Sequence, residues 1–303
     1  MDKTTAISDQ PVSDGIASFF ARTWTRLLSR LVPGWANNQI DAMLFVPKTI
    51  RNKPVRLPRG FEEFTIKTRD GSLQAYQAGR GPTVVFVHGW GGTSSQFFPL
   101  MRGLACCGFS SLVFDQLGHG LSDGKPATLQ QSIASTYHVL SQVSKSNEGL
   151  CAVVGHATGC IAIANTRRAL LKDIPLFLIS PVFNYKLFFL RRLVRLGLHA
   201  DLVKRYTNRF SRIYSSEYRR LELGSKLVNF SDVTVIAHDE SDTEAAVGDS
   251  INFCNKYPLT KLLITRDTDH VRIINCESVW QELKSHLNYD DTTINFTTEI
   301  LEQ

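Results

Sequence analysis

The chain alternates short apolar runs with longer stretches whose apolar positions recur every three or four residues. Continuous apolar runs such as "TVVFVH" (83–88) and "CAVVG" (151–155) are typical of strands that are buried on both faces. The stretches between them have the period of helices that bury one face. The predicted strands of this kind are 83–88, 111–115, 151–155, 175–180, 232–238 and 259–265, and the predicted helices lie near 95–106, 129–144, 157–170, 243–256 and 276–287. This order predicts a parallel sheet that is covered by helices on both faces.

Two more strands are predicted before this alternation starts. The segments "EEFTIKT" (62–68) and "SLQAYQA" (72–78) alternate polar and apolar residues, and Asp70-Gly71 lies at the turn between them. We therefore expect an eight-stranded, mostly parallel sheet with an antiparallel hairpin at one edge. Residues 184–228 interrupt the alternation with a basic, helical insertion, which we interpret as a short helical cap on the sheet.

The first 60 residues are predicted to form an extension outside this domain. Residues 15–35 have the pattern of an amphipathic helix, and the proline- and arginine-rich residues 47–60 indicate a linker. The apolar face of this predicted helix consists of Phe20, Trp24, Leu27, Leu28 and Leu31. A separate stripe of arginines consists of Arg22, Arg26 and Arg30. Docking on the main domain and contact with an anionic membrane surface are both open for it. The predicted organisation is thus an extension (1–60), one domain (61–288) and a tail (289–303).

Composition is typical of a folded domain with a large core, since 43% of the residues are hydrophobic and 20% are charged. Six cysteines lack the spacing of metal-ligand pairs, so we expect reduced thiols, no metal and a cytoplasmic location, with peripheral membrane contact open. We see no secretory signal and no apolar run of membrane-spanning length. The net charge of +6 is concentrated near residues 21–60 and 185–222, which indicates a solvated basic surface or a surface that attracts anionic lipid or acidic ligands. No zinc-finger, RRM or KH pattern accompanies this charge, so nucleic-acid binding is not expected.

Candidate chemistry lies at the carboxyl ends of the predicted strands, where open α/β sheets form their sites. One strand ends in "HGWGG" (88–92), the next in "FDQLGHGLSDG" (114–124), and the next in "GHATG" (155–159). Asp242 follows the strand 232–238, and His270 follows the last strand. The second of these motifs contains Asp115, which we interpret as an internal brace of its loop.

These five features, in this order, resemble the α/β-hydrolase superfamily of serine esterases and lipases, and the resemblance covers most of residues 62–287. It implies an α/β-hydrolase fold with a cap at 184–228, no cofactor, and a small apolar, acyl or ester compound as the ligand. In this family "GHATG" corresponds to the G-x-S-x-G elbow, so Ala157 occupies the position of the nucleophilic serine. The resemblance implies that His270 is the general base and that Asp242 is its acid partner, with Asp239 as the competing acid. It implies that the backbone N–H groups of Trp90 and Thr158 form the oxyanion hole. The implied pocket-lining residues are His88, Gly89 and His156.

The alanine at position 157 removes the group that attacks an ester, because a methyl group cannot form an acyl-enzyme. Loss of a triad serine costs on the order of 10⁶ in kcat, so we expect nucleophilic turnover to be weak or lost. Three interpretations stay open: a ligand-binding or scaffold protein without turnover, an enzyme that uses the Asp242–His270 pair as a general base, or an alanine introduced into a working serine hydrolase. The sequence does not specify an oligomeric state.

Overall fold

A computed structural model describes residues 56–124, 128–195, 201, 203–205, 207–208 and 221–287 of the chain. The helix predicted for 15–35, most of the linker and the tail 289–303 lie outside the described residues, and so does part of the predicted cap. Contact of the N-terminal helix with a membrane therefore stays a prediction. Within the described residues, no helix is both long and apolar enough to cross a bilayer.

The described residues form one eight-stranded sheet with the order β1-β2-β4-β3-β5-β6-β7-β8. The strands are β1 Phe61–Thr68, β2 Gly71–Ala78, β3 Thr83–Val87, β4 Ser110–Phe114, β5 Leu150–His156, β6 Leu176–Ile179, β7 Thr234–Asp239 and β8 Lys261–Thr265. Strands β1 and β2 pair antiparallel, β2 pairs antiparallel with β4, and all the remaining pairs are parallel. The predicted eight-stranded, mostly parallel sheet with an edge hairpin is confirmed.

Helices cover both faces of the sheet. They are α1 Phe98–Cys106, α2 Leu129–Val143, α3 Thr158–Ala164, α4 Tyr185–Arg195, α5 Leu223–Leu227, α6 Val247–Lys256 and α7 Glu277–His286. Helix α2 begins with a capping box, in which Thr128 and Gln131 each bond to the backbone of the other. Alternate residues of the central strands supply the two halves of the core: Val85 and Val87 pack on the α2 and α3 side, and Val84 and Phe86 pack on the α1 and α7 side.

The helix predicted for residues 157–170 is shorter than the sequence pattern indicated. Helix α3 ends at Ala164, and a separate 3₁₀ turn follows at Arg168–Leu170. Asn165 explains the end of the helix, because its side-chain amide donates to the carbonyl groups of Ile161 and Leu221. Asparagine side chains that bond to nearby backbone compete with helix continuation in this way.

Helix α4 follows β6 and begins the segment that was predicted to be a cap. Its apolar side packs into the core through Tyr185, Phe188 and Phe189, which are all buried. Phe189 contacts the ring of Trp90, and Phe188 contacts the ring of His270, with centroid distances of 6.4 and 6.3 Å. Helix α4 therefore lies against the predicted site at the carboxyl ends of the strands.

Candidate active site

The turn between β5 and α3 has the geometry of a nucleophile elbow although it carries an alanine. Ala157 has φ 50° and ψ −117°, a conformation that is costly for a residue with a side chain. Its amide donates to the carbonyl of Ile179 on the neighbouring strand, which holds the turn in place. The strained backbone that presents a nucleophile is thus retained, and a buried methyl group stands at its apex.

Close backbone approach at this elbow depends on Gly159. A Cβ atom added there would overlap the carbonyl oxygen of Val87 and would lie 2.8 Å from that of His88. Both obstacles are backbone atoms of β3 and its loop, so they cannot move aside as a flexible side chain would. The glycine therefore lets α3 start directly against β3.

We expect Gly159→Ala to lower the free energy of unfolding by about 3 kcal/mol, because overpacking against backbone forces the helix away from the sheet. Urea denaturation measures the loss. The matched control is Gly248→Ala in α6, where an added Cβ meets nothing within 4 Å. That variant is expected to be neutral or to gain up to about 1 kcal/mol, since alanine is the better helix former. Equal stability of the two variants would contradict the packing argument.

His270 and Asp242 form a buried pair. The Nδ1–H of His270 donates to Oδ2 of Asp242 at 2.7 Å, and Oδ1 of Asp242 accepts from the amides of Glu244 and Ala245 at 2.7 and 2.9 Å. Burial raises the pKa of Asp242, but the hydrogen bonds from His238 and His270 together outweigh it and hold the pKa well below its usual range. Asp242 is therefore a carboxylate that fixes the tautomer of His270.

Asp239, the competing acid, contacts other groups. Its carboxylate accepts hydrogen bonds from Ser241, Thr265 and Thr268 and so ties the loops after β7 and β8 together. The structure thus places Asp242, and not Asp239, on His270.

A second imidazole, which the sequence analysis did not select, also contacts Asp242. Nε2 of His238 lies 3.2 Å from Oδ2 of Asp242, and its Nδ1 lies 2.7 Å from the hydroxyl of Ser250. Nε2 of this fully buried ring has no partner of full hydrogen-bond geometry among the described residues. His238 lies inside an apolar strand pattern, and only its place four residues before Asp242 could have indicated the contact.

His156 lies beside His270 and supports it. Its Nε2–H donates to the backbone carbonyl of His270 at 2.8 Å, and the two ring centroids are 4.9 Å apart. Burial, followed by the nearby His270, lowers the pKa of His156 to about 3. His156 is therefore neutral near pH 7, and its Nδ1 is left to accept from the side-chain amide of Gln96 at 3.4 Å.

One of the two backbone N–H groups predicted to form an oxyanion hole is engaged within the protein. The amide of Trp90 donates to the side-chain hydroxyl of Thr158 at 2.7 Å, so the hydroxyl oxygen occupies the place that a substrate oxyanion would need. The other predicted donor is the backbone amide of Thr158. Because Thr158 is the first residue of α3, this amide has no acceptor within the helix. The sequence analysis assigned Thr158 through its backbone alone and missed the role of its side chain.

His88 and Gly89 were also predicted to line the pocket, and neither is among the residues that line the cavity. The Nδ1–H of His88 donates to the carbonyl of Gly89 at 2.8 Å, and its Nε2 accepts from the amide of Gln116 at 2.9 Å. Both residues are buried beneath the turn, and neither lies on the cavity wall. A histidine with both nitrogens engaged by neighbouring backbone acts as a brace between the loops after β3 and β4.

Asp115 strengthens the same brace. Its Oδ1 accepts from the amide and the hydroxyl of Ser94, both at 2.7 Å, and its Oδ2 accepts from the amide of Leu121 at 3.0 Å. His119, from the same loop, accepts from the amide of Gly91 through Nε2 at 3.1 Å. The loop that carries Trp90 is thus held rigidly over the elbow.

A cavity of about 380 Å³ lies above Ala157. Four residues that the sequence predicted for the site line this cavity: Trp90, His156, Ala157 and His270. The sequence analysis missed Gln96, Arg192 and Glu244, which also line it. Arg192 comes from helix α4 and Glu244 from the loop after β7, so their convergence depends on tertiary structure. Among the described residues, no group of histidine, cysteine and acidic side chains is arranged to hold a metal ion.

Cys160 does not replace the missing nucleophile. The residue is fully buried within α3, and burial raises the pKa of its thiol far above the ordinary value. A thiol without access to the cavity and without a thiolate form at neutral pH cannot attack a ligand.

This sheet, elbow and Asp–His pair define an α/β hydrolase. Residues 80–256 match the family model described as serine aminopeptidase, S33, and the chain belongs to that family. The esterase Pf2001 of Pyrococcus furiosus has a similar structure, with a TM-score of 0.60, 20% identity, and coverage of 79% of this chain and 98% of that one. Est1E of Butyrivibrio proteoclasticus, with ferulic acid bound, has a TM-score of 0.55 at 19% identity and covers 74% of this chain and 99% of its own.

Two curated relatives match over shorter segments. A 2-(acetamidomethylene)succinate hydrolase of Mesorhizobium japonicum is 34% identical over 88 residues, which are 29% of this chain and 31% of the relative. An epoxide hydrolase of Caballeronia sordidicola is 29% identical over 101 residues, which are 33% of this chain and 31% of the relative. The chain thus matches about a third of the length of each of these relatives.

Proposed function

We propose that this protein binds a small acyl- or ester-like compound in the cavity above Ala157 and that its nucleophilic turnover is lost. The observation that carries the proposal is the 2.7 Å hydrogen bond from the Trp90 amide to the Thr158 hydroxyl. It engages a predicted oxyanion donor beside the elbow at which the nucleophile is absent. Two independent requirements of acyl transfer therefore fail together, whereas the cavity and its walls are intact.

The similar structures and the two curated relatives support an acyl- or ester-like ligand. The two similar structures are of esterases, one of them with ferulic acid bound, and the two curated relatives are a 2-(acetamidomethylene)succinate hydrolase and an epoxide hydrolase. A small compound such as ferulic acid suits a cavity of about 380 Å³.

A second candidate function is general-base catalysis by the His270–Asp242 pair. It is favoured by the 2.7 Å contact between the two side chains and by the depressed pKa of the carboxylate, which pure binding does not require. In this function, Nε2 of His270 accepts a proton from water or from the ligand, and no covalent intermediate forms.

We expect the unmodified protein to give no covalent adduct with a fluorophosphonate probe and to hydrolyse p-nitrophenyl esters at the background rate. Intact-protein mass spectrometry and release of p-nitrophenol measure the two outcomes. Residual hydrolysis that disappears in His270→Ala would establish the second candidate instead. An adduct on any residue of the unmodified chain would contradict the loss of nucleophilic turnover.

A further inference from the structure

Most polar groups on the cavity wall are already engaged by other groups of the protein. Within the described residues, the amide of Trp90 donates to Thr158, the amide of Gly91 to His119, and the amide of Gly92 to the carbonyl of Gly89. A ligand that needed the usual backbone donors of this turn would find them occupied.

Arg192 is the cationic group that remains for a ligand. Among the described residues, its guanidinium pairs with Glu244, whose Oε2 lies 3.9 Å from Nη1, beyond hydrogen-bond distance. Nη2 lies 3.4 Å from the position of a Cβ on Gly91, so the guanidinium lies directly over the glycine turn. About a third of the side chain is exposed, and the ion pair with Glu244 is therefore weak and exchangeable.

His270 supplies the second group, with the opposite hydrogen-bonding character. Its Nδ1–H is fixed on Asp242, which leaves Nε2 on the cavity wall as the nitrogen that can accept a hydrogen bond from a ligand. The cavity thus combines a fork of donors with one acceptor.

We propose that the ligand is a monocarboxylic acid that also carries a hydroxyl or an amide N–H, with the carboxylate on Arg192 and the donor on Nε2 of His270. This inference rests on the proposed function, because it names the chemistry of the compound that the same cavity binds. An arginine fork fits a planar carboxylate through two parallel hydrogen bonds, and a neutral ester cannot form this charge-assisted pair.

The surrounding charges favour a single negative charge on the ligand. Glu244 lies beside Arg192 on the cavity wall, and the Asp242 carboxylate lies behind His270, so two carboxylates lie close to the proposed position of the ligand. A phosphate monoester, with close to two charges at neutral pH, would be repelled more strongly than a carboxylate.

Calorimetric titration of the full chain tests the inference with matched probes. The probes are 3-hydroxyoctanoate, its methyl ester, octanoate and octyl phosphate. The variants are Arg192→Gln and Glu244→Gln, with Lys186→Gln as the control, because Lys186 is exposed on the same helix and its loss changes the net charge equally.

In the unmodified protein we expect 3-hydroxyoctanoate to bind about tenfold or more tightly than its ester and than octanoate, and more tightly than octyl phosphate. Arg192→Gln removes the preference over the ester and weakens acid binding about 10- to 100-fold, whereas Lys186→Gln preserves both. Glu244→Gln tightens acid binding, since it removes a neighbouring negative charge.

Comparable binding of the ester, tighter binding of octyl phosphate, or an unchanged affinity in Arg192→Gln overturns the carboxylate inference alone. Failure of all four probes to bind overturns the proposed function itself.

Discussion

Ala157→Ser is expected to return covalent reactivity to the elbow, and Thr158→Ala added to it is expected to return most of the rate. The single variant places a hydroxyl on a turn that already has the strained elbow conformation, near the His270–Asp242 pair. Fluorophosphonate labelling of that variant should be readily detected. Its ester hydrolysis should rise by about 10³- to 10⁴-fold over the parent and stay below that of a complete triad, because the Thr158 hydroxyl still occupies the Trp90 amide.

Removal of the Thr158 side chain frees that amide. One oxyanion-hole donor is worth about 10²- to 10³-fold in kcat, so the double variant should exceed the single one by about that factor, with a smaller change in KM. The matched control is Ala157→Ser with Thr158→Ser, which keeps the hydroxyl and should keep the low rate. Equal kcat values for the two double variants would show that the hydroxyl is displaced freely by substrate and does not limit catalysis.

The sequence alone predicted the sheet and the strand ends well for a physical reason. A strand buried on both faces needs a continuous apolar run, and the residues after that run must be at one edge of a parallel sheet. This is why Ala157, Asp242 and His270 could be placed near one another from local patterns that lie far apart in the chain. The order of the loops then identified their relation to the α/β hydrolases.

The interactions that decide the chemistry could not be predicted in this way. The contact between Thr158 and Trp90 joins positions 68 residues apart and depends on one side-chain conformation. Arg192 belongs to a basic stretch in which the pattern does not indicate which arginine faces the cavity. The helix pattern beyond Ala164 failed for a related reason, because a single asparagine side chain bonds to the backbone and ends the helix.

Acidification from about pH 6.5 to pH 4 is expected to destabilise the protein through His156. The pKa of this buried ring is lowered to about 3, first by burial and then by the nearby His270, whereas an unfolded histidine has a pKa of about 6.5. Between these values the unfolded chain binds one more proton than the folded chain, so stability falls as pH falls. Burial also lowers the pKa of His88, against the opposing effects of Asp115 and of its hydrogen bond to Gly89, and it acts in the same direction.

Urea denaturation at half-unit steps between pH 4 and 7 measures the slope, to which each such histidine adds up to about 1.4 kcal/mol per pH unit. His156→Gln keeps a donor for the His270 carbonyl but cannot take up a proton, so its stability should depend less steeply on pH. The measurements stop at pH 4 so that the titration of Asp242 does not contribute to the slope. The depressed pKa of Asp242 adds stability that is lost only as pH falls below about 4.

Cys160→Ala is the matched control for this slope. It also changes a fully buried residue next to the elbow, but burial raises the pKa of its thiol, so this group does not titrate in the acid range. The control should therefore lower stability equally at every pH and leave the slope of the parent. If His156→Gln kept the parental slope as well, His156 would have to take up its proton in the folded protein too, and this would place a positive charge against the His270 ring whose Nε2 we assign as an acceptor.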